Sequence, residues 1–201
     1  MTALTALAAI ARLPRDTRGA TAVEFAAIAP CLLMVLLGVM DLSYNLYAST
    51  LLEGALQRAA RDSTIEGAEG RQLDIDNRVR DVVDDLVVDA EIKFDRRAYT
   101  DFSDISRPEE FTDANGDGTC NDGEPFEDAN RNGTWDDDRG KVGMGGARDA
   151  VLYTVTISYP RAFPVMGLLG FSSTVTTQSR TVLRNQPFDE QDLAIPVGNC
   201  S

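Results

Sequence analysis

The stretch that decides the fold is Ala20-Thr-Ala-Val-Glu-Phe-Ala-Ala-Ile-Ala-Pro-Cys-Leu-Leu-Met-Val-Leu-Leu-Gly-Val-Met40, in which Glu24 is the single charged residue. A helix of this length rises about 30 Å, the thickness of the hydrocarbon core of a bilayer. The part from Cys31 to Met40 is apolar on every side. We therefore expect a membrane-spanning helix at residues 20–40 rather than a buried core helix.

The residues on either side of this stretch argue for an anchor that stays attached. A leader of residues 1–19 carries three arginines and one aspartate. The positive-inside rule therefore places the N-terminus in the cytoplasm. An ordinary secretory signal peptide fits less well, because Glu24 and Pro30 lie inside the apolar stretch and no Ala-x-Ala follows Met40.

Glu24 needs an explanation, because a carboxylate inside an apolar helix costs about 2.5 kcal/mol or more on insertion scales. Small residues precede it, and a cut after Gly19 would give Ala20 a free amine. In an assembly, Glu24 of one subunit would neutralise that amine on its neighbour within hydrocarbon, where an unpaired charge is expensive. The alternative is a boundary residue that a plain membrane anchor tolerates.

The run Arg18-Gly-Ala-Thr-Ala-Val-Glu-Phe-Ala-Ala-Ile-Ala-Pro30 resembles the start of TadE-like pseudopilins, which are minor pilin-like proteins of the tight-adherence (Tad/Flp) branch of type IV pilus systems. The matching positions are Gly19, Glu24, Phe25 and Pro30, and the resemblance extends over about residues 18–61. It implies cleavage between Gly19 and Ala20 by a prepilin peptidase, with other pilins and pseudopilins as partners. It also implies a single-pass protein of the bacterial inner membrane, with its C-terminal domain in the periplasm or outside the cell within the pilus.

Beyond the membrane segment, residues 41–99 are expected to form a soluble helical part and a first strand. Apolar residues at spacings of three and four extend the first helix to about residue 65, and a second amphipathic helix follows with a stripe from Ile75 to Val87. Strands are expected at residues 90–96, 150–159 and 172–183, the last two in a C-terminal β region of residues 147–201. The predicted fold class is α+β, with a small antiparallel sheet lying on the long helix. The apolar residues 162–171 are either a buried connection across the sheet or a patch that touches the membrane or a partner pseudopilin.

The charge of the chain is concentrated in one segment. The 201 residues carry a net charge of −13 and contain no histidine. Thirteen acidic residues and three arginines lie between Tyr99 and Gly140. Such acidity excludes nucleic acid as a partner, since phosphate binding requires basic patches. The lack of histidine removes Ser-His and Cys-His catalysis, and no nucleophile–base pair is evident, so we do not expect an enzyme.

An insert at residues 100–146 contains a repeat with a period of 15 residues. The segments 111–125 and 126–140 each hold the Asp-x-Asn-x-[Asp/Asn]-Gly core of a calcium loop. In such loops, alternating side chains present oxygens to one ion, and the glycine allows a tight turn. The ligand candidates of the first loop are Asp113, Asn115, Asp117, Thr119 and Glu124, and those of the second are Asp128, Asn130, Asn132, Thr134, Asp136 and Asp137. One or two structural calcium ions are therefore expected.

Three alternatives stay open at this point. Arg139 occupies the position of the second loop's bidentate acid, so either Asp137 or Asp138 replaces it or that site is weak. The alternative to calcium binding is that the whole insert is a solvated acidic loop, which the same residue types favour. Cys120 and Cys200 are a candidate disulfide, although the sequence does not give the Cα separation that such a bond requires.

Two other classes of function compete with the pseudopilin. One is a membrane-anchored, calcium-dependent surface adhesin or binding module, which would have no need of Glu24. The other is a membrane-tethered hydrolase, which is disfavoured because the acidic residues cluster in glycine-rich loops.

Overall fold

The computed structural model describes residues 19–63, 72–87, 89–163, 165–168, 170–187, 191 and 193–201. Residues 1–18 of the predicted leader and the predicted helix end at residues 64–70 lie outside these ranges. The helices are α1 (Ala20–Ser63), α2 (Gln72–Asp84) and the short α3 (Val165–Leu168). The strands are β1 (Glu91–Tyr99), β2 (Pro125–Glu127), β3 (Lys141–Val142), β4 (Ala150–Pro160), β5 (Thr174–Arg184) and β6 (Val197–Asn199). The α+β fold class is thus confirmed.

The chain divides into two compact units. The first contains the described residues up to Tyr44 together with Ala162–Ser173, and the second contains Asn45–Arg161 and Thr174–Ser201. Helix α1 continues through the boundary at Tyr44 without a break, and Pro30 lies inside it.

In the first unit, the apolar half of α1 is exposed over nearly its whole length, with Leu33 55% and Val35 59% exposed. Met166, in the connection between β4 and β5, comes close to this helix: a Cβ built on Gly38 would lie 4.0 Å from the Met166 Sδ. Exposure is described for six residues of this segment, Ala162, Phe163, Met166, Gly167, Gly170 and Phe171, and all six are half-buried or exposed. At these positions the segment is not a buried connection.

In the second unit, the remaining part of α1 buries a stripe of mostly small residues. Its buried members are Ala48, Leu52, Ala55, Leu56, Ala59 and Ala60. The spacings of one, three and four place these positions on one face of the helix. Leu51, beside this stripe, is only half-buried.

The main sheet is antiparallel, with the strand order β3-β1-β4-β5. Its three long strands lie close to the predicted ranges, and β3 adds a fourth from the end of the acidic insert. The central strand β4 buries the alternate residues Val151, Tyr153, Val155, Ile157 and Tyr159. Tyr159 donates a hydrogen bond to Asn45 Oδ1 of α1 at 2.9 Å, so this face of β4 is turned toward the helix.

A buried polar cluster joins α2 to the sheet. Arg96 of β1 is 8% exposed and forms a two-armed ion pair with Asp76 of α2. Tyr153 donates a hydrogen bond to the same carboxylate at 2.7 Å, and the Arg96 guanidinium lies 4.0 Å from the centre of the Tyr153 ring. The pairing satisfies charges that would otherwise be costly to bury. Arg96 is thus a charged residue that faces the protein interior, on a face of β1 whose other residues are apolar.

Candidate functional site

The residues of the family motif lie at the start of α1. Gly19 immediately precedes the helix, Ala20 is its first residue, and Glu24 follows one turn later. Residues four apart in a helix share a face, so Ala20 and Glu24 lie on the same side of α1. Gly19, Glu24 and Phe25 are all exposed, and no atom lies within 4 Å of a Cβ built on Gly19. Packing within the chain therefore does not require glycine at position 19.

Helix α1 is long and apolar enough to cross a membrane. Its most apolar window has a mean hydropathy of 2.3, and no part of that window is buried in the protein. In water, so large an exposed apolar surface would be unfavourable. By length and composition, α1 therefore fits membrane anchoring.

The first loop of the insert, residues 113–124, wraps its backbone around Asp113. One carboxylate oxygen of Asp113 accepts a hydrogen bond from the amide of Gly116 at 2.6 Å, and the other accepts one from Gly118 at 2.9 Å. Both glycines have a positive φ, +77° and +75°, which disfavours residues with a Cβ. Asn115 and Asp117 continue the series, because their side-chain oxygens accept from the amides two residues ahead of them.

Glu124 closes the first loop. It is 5% exposed. One of its carboxylate oxygens accepts hydrogen bonds from the amides of Ala114 and Asn115, at 2.6 and 3.3 Å, and the other accepts one from Asn121 at 3.4 Å. Glu124 is thus brought to the loop as its position predicts, but its contacts within the chain are with amide groups.

The second loop, residues 128–139, repeats this arrangement. The carboxylate of Asp128 accepts from the amides of Asn132 and Gly133, both at 3.0 Å. The side-chain oxygens of Asn130 and Asn132 accept from the amides two residues ahead, as in the first loop. Asp136 accepts from the side-chain amides of Asn130 and Asn132. Asp137 is exposed.

The acid that closes the second loop is Glu109, which our sequence analysis missed. Glu109 is 1% exposed. One of its carboxylate oxygens accepts hydrogen bonds from the backbone amides of Ala129 and Asn130, at 2.8 and 3.3 Å, and the other accepts one from the backbone amide of Asp136 at 3.2 Å. These amides occupy the same loop positions as those that Glu124 bonds in the first loop.

A signal for Glu109 was present in the repeat. Glu109 and Glu124 are 15 residues apart, and each lies two residues before a phenylalanine, Phe111 or Phe126. The two phenylalanines form an isolated antiparallel bridge. Each glutamate therefore precedes one loop and closes the other. Extending the repeat upstream by two residues would have included Glu109.

Arg139 pairs with acidic residues that are not ligand candidates of either loop. Its guanidinium forms an ion pair with Glu127 at 3.2 Å and lies 3.9 Å from Asp104. Asp138, one of the two substitutes considered for it, instead accepts a hydrogen bond from the Tyr99 hydroxyl at 2.9 Å and pairs with Arg97 at 3.3 Å. Asp138 thus ties the insert to β1.

The C-terminus is joined to the insert by both backbone and covalent bonds. Strand β6 pairs with β2 in a separate two-stranded sheet. Gly198 of β6 lies so close to the ring of Phe126 that an added Cβ would clash with it. Cys120 and Cys200 form a disulfide with a Cα separation of 5.3 Å. The last residues of the chain therefore belong structurally with the insert rather than with the main sheet.

Two carboxyl groups of the insert have perturbed pKa values. Burial raises the pKa of Glu109 above its ordinary value, although the amides of Asn130, Asp136 and Ala129 oppose this effect. The pKa of Asp117 is lowered, chiefly by the hydrogen bond from the Asn121 side chain. Within the described ranges, no three His, Cys, Asp or Glu side chains form a group that could hold a metal. A cation in either loop would therefore rely on amide and carbonyl oxygens as well as carboxylates.

Comparison with known proteins identifies the N-terminal segment. Residues 19–61 match the family model described as TadE-like protein. No curated protein and no solved structure matches the chain. The matched range contains Gly19, Ala20, Glu24 and Phe25, and it ends where α1 does, within two residues. Over residues 19–61 the chain is therefore similar to the TadE-like family, as the resemblance implied.

Proposed function

We propose that this chain is a minor pseudopilin that takes part in assembling a tight-adherence type IV pilus. The observation that carries the proposal is the TadE-like match over residues 19–61, which coincides with an apolar helix whose first half is exposed. In this proposal α1 crosses the bacterial inner membrane once. The leader is cytoplasmic, and the second unit lies in the periplasm or within the pilus.

Cleavage after Gly19 by a prepilin peptidase is the first step of the proposed function. Support comes from the exposure of Gly19 and from its position immediately before the helix. The cut would leave the amine of Ala20 on the same helix face as Glu24. An amine and a carboxylate on adjacent subunits would then neutralise each other within hydrocarbon.

Substitution at Gly19 tests this step. Gly19→Leu should leave a full-length precursor in the membrane, because the peptidase must accommodate the residue before the cut. Gly54→Leu is the matched control, since Gly54 lies in the same helix and also has no atom within 4 Å of an added Cβ. Mass spectrometry should find a mature chain that begins at Ala20 for the parent and for Gly54→Leu. A mature parent chain that begins elsewhere would contradict the proposal.

We also propose that the insert binds structural calcium. Support comes from two loops of the same pattern, each with a buried glutamate, in a segment of 13 acidic residues. The ion would be held by Asp113, Asn115, Asp117 and the Thr119 carbonyl in the first loop. In the second, Asp128, Asn130, Asn132 and the Thr134 carbonyl would hold it. Calcium would offset the mutual repulsion of the carboxylates and hold the loops in one conformation.

Calcium titration of the mature chain in detergent tests this second proposal. Because the ion would bind only the folded state, calcium at 100 times its dissociation constant should stabilise the protein by about 2.7 kcal/mol and raise the thermal midpoint. The double variant Asp113→Ala and Asp117→Ala should lose much of this gain. Glu110→Gln is the control, because Glu110 is an exposed acid beside the loops and its variant should respond as the parent does. A melting curve unchanged by a calcium chelator would identify the insert as a solvated acidic loop.

A further inference from the structure

The connection between β4 and β5 has the composition of a lipid-contacting segment. Residues 162–173 carry no charged side chain. The large apolar members are Phe163, Val165, Met166, Leu168, Leu169 and Phe171. An apolar segment of this length is too short to span a bilayer and is typical of a buried or interfacial segment.

Burial within the chain does not account for this composition. The residues of 162–173 whose exposure the structure describes are all half-buried or exposed, and Phe171 is 55% exposed. Contiguous apolar patches on a protein surface indicate contact with a membrane or with another protein. Something outside this chain is therefore expected to cover the segment.

The position of Met166 indicates what that is. Residues 162–173 belong to the same compact unit as the apolar half of α1. Met166 lies within ordinary van der Waals distance of the place where a Cβ on Gly38 would be, at 4.0 Å. Gly38 is 18 residues after Ala20, which corresponds to a rise of about 27 Å along the helix. It is therefore near the C-terminal end of the apolar stretch, where one face of a bilayer would lie.

The helix surface around this point is exposed as well. Leu36, Val39 and Met40 are 51%, 57% and 53% exposed. These exposed side chains lie within two residues of Gly38, the position that Met166 approaches. A medium that covers them would therefore also lie close to Met166.

We propose that residues 162–173 are a second membrane-contacting element, which enters the lipid at the C-terminal end of the apolar half of α1. This inference rests on the proposed function in one respect, that α1 lies in a bilayer. The chain would then be held at the membrane surface at two points, by α1 and by the turn between β4 and β5.

Quenching of tryptophan fluorescence by brominated lipid tests the proposal. The full chain is reconstituted into vesicles of phosphatidylethanolamine and phosphatidylglycerol, with or without bromine on the acyl chains. Phe171→Trp is the test variant, and the parent, whose single tryptophan is Trp135, gives the baseline to subtract. Phe171→Trp should lose emission in brominated vesicles, and more so when the bromine is near the head-group end of the chain than near its methyl end.

Two further variants make the outcome decisive. Phe102→Trp is the matched control, because Phe102 is 45% exposed and lies at the start of the acidic insert. Its fluorescence should not be quenched.

Leu36→Trp reports on α1 itself. Quenching at residue 36 but not at residue 171 would overturn the inference and leave the membrane anchor in place, whereas quenching at neither would contradict the anchor. If the tryptophan of Phe171→Trp were protected both from bromine and from aqueous acrylamide, the inference would also be overturned, because protein rather than lipid would then cover the segment. Equal quenching at residues 102 and 171 would overturn the assignment of this contact to the β4–β5 connection.

Discussion

The two halves of helix α1 have the same backbone conformation and opposite surroundings. Residues 31–40 are apolar on all sides and mostly exposed, as Leu33 at 55% shows. From Ala48 onward, small residues and leucines occupy one face only, and that face is buried, with Leu52 and Leu56 each 1% exposed. Glu53 and Arg58, on other faces of the second half, are exposed.

This difference shows that the distribution of apolar residues around a helix, rather than helix formation itself, determines what the helix contacts. An all-round apolar surface cannot be covered by one sheet and suits a lipid environment, whereas a single stripe suits packing against a protein core. The stabilising contributions of the two halves should therefore differ. The first should affect membrane insertion and assembly, and the second should affect the folding of the β-containing unit.

Between the two halves of α1, the largest difference in the effect of a substitution is expected for its two exposed glutamates. Glu24→Ala should insert into the membrane and be cleaved as the parent is, because the change removes a charge from hydrocarbon and leaves Gly19 intact. Co-purification with other pilins should be lost completely, since the proposed partner of the Ala20 amine is gone.

Glu53→Ala is the matched control in the other half, and it should assemble normally. A Glu24→Ala strain with normal piliation and normal pseudopilin complexes would contradict the proposed neutralisation of the Ala20 amine by Glu24. It would also contradict the proposal that the chain is a minor pseudopilin, which depends on this pairing. The anchored adhesin would then be the better hypothesis.

The second comparison concerns two leucines of the same helix. Leu52→Ala removes a fully buried side chain and should lower the free energy of unfolding of the β-containing unit by about 2–5 kcal/mol. Leu33→Ala should change it by about 0.5 kcal/mol or less, because Leu33 makes little contact within the chain. Urea unfolding in detergent, followed by Trp135 fluorescence, measures both. Equal losses would mean that the exposed half also contributes to the core.

The third comparison depends on pH and concerns the sheet against which the second half of α1 packs. Burial raises the pKa of Tyr153 above its ordinary value of 10.0, and its hydrogen bond to Asp76 adds to this effect. The unfolded chain therefore loses the phenolic proton first, so stability present below pH 10 is lost as the pH rises further. This one group contributes at most about 1.4 kcal/mol for each pH unit.

Tyr153→Phe should reduce this alkaline loss, and the unfolding free energies of parent and variant should converge as the pH rises above 10. Tyr99, whose pKa is also raised by burial, stays in both proteins and contributes to the slope that remains. Curves that run parallel above pH 10 would show that Tyr153 ionises equally in the folded and unfolded chains.

The features that could be predicted from the sequence are those fixed by neighbouring residues. The length and composition of residues 20–40 predict the apolar helix. Alternation predicts β4, and the repeat of Asp, Asn and Gly predicts two similar loops with Glu124 closing the first. Each depends on the intrinsic period of a helix or strand or on the backbone freedom of glycine within a few residues.

The features that could not be predicted join residues far apart in the chain. Glu109 closes a loop about 20 residues away, which the motif of a single loop does not contain. Arg96 interrupts an apolar strand face, and only the position of Asp76 on α2 explains why a charge is tolerated there. Residues 162–171 are apolar like a core strand, yet Met166 lies close to Gly38 of the exposed half of α1 and Phe171 is exposed.

By itself, the sequence determined the long apolar helix and the three long strands, because periodicity and apolar content act locally, and its residues 18–30 carry the resemblance to TadE-like proteins. Only the tertiary structure decided which glutamate serves which loop, that the chain's last strand pairs with β2, and that Cys120 and Cys200 meet. Each of these pairings requires distant segments to be brought together by the packing of the whole unit. Local composition does not specify these pairings, because the same residues could pair with many partners and only the folded structure brings one of them close.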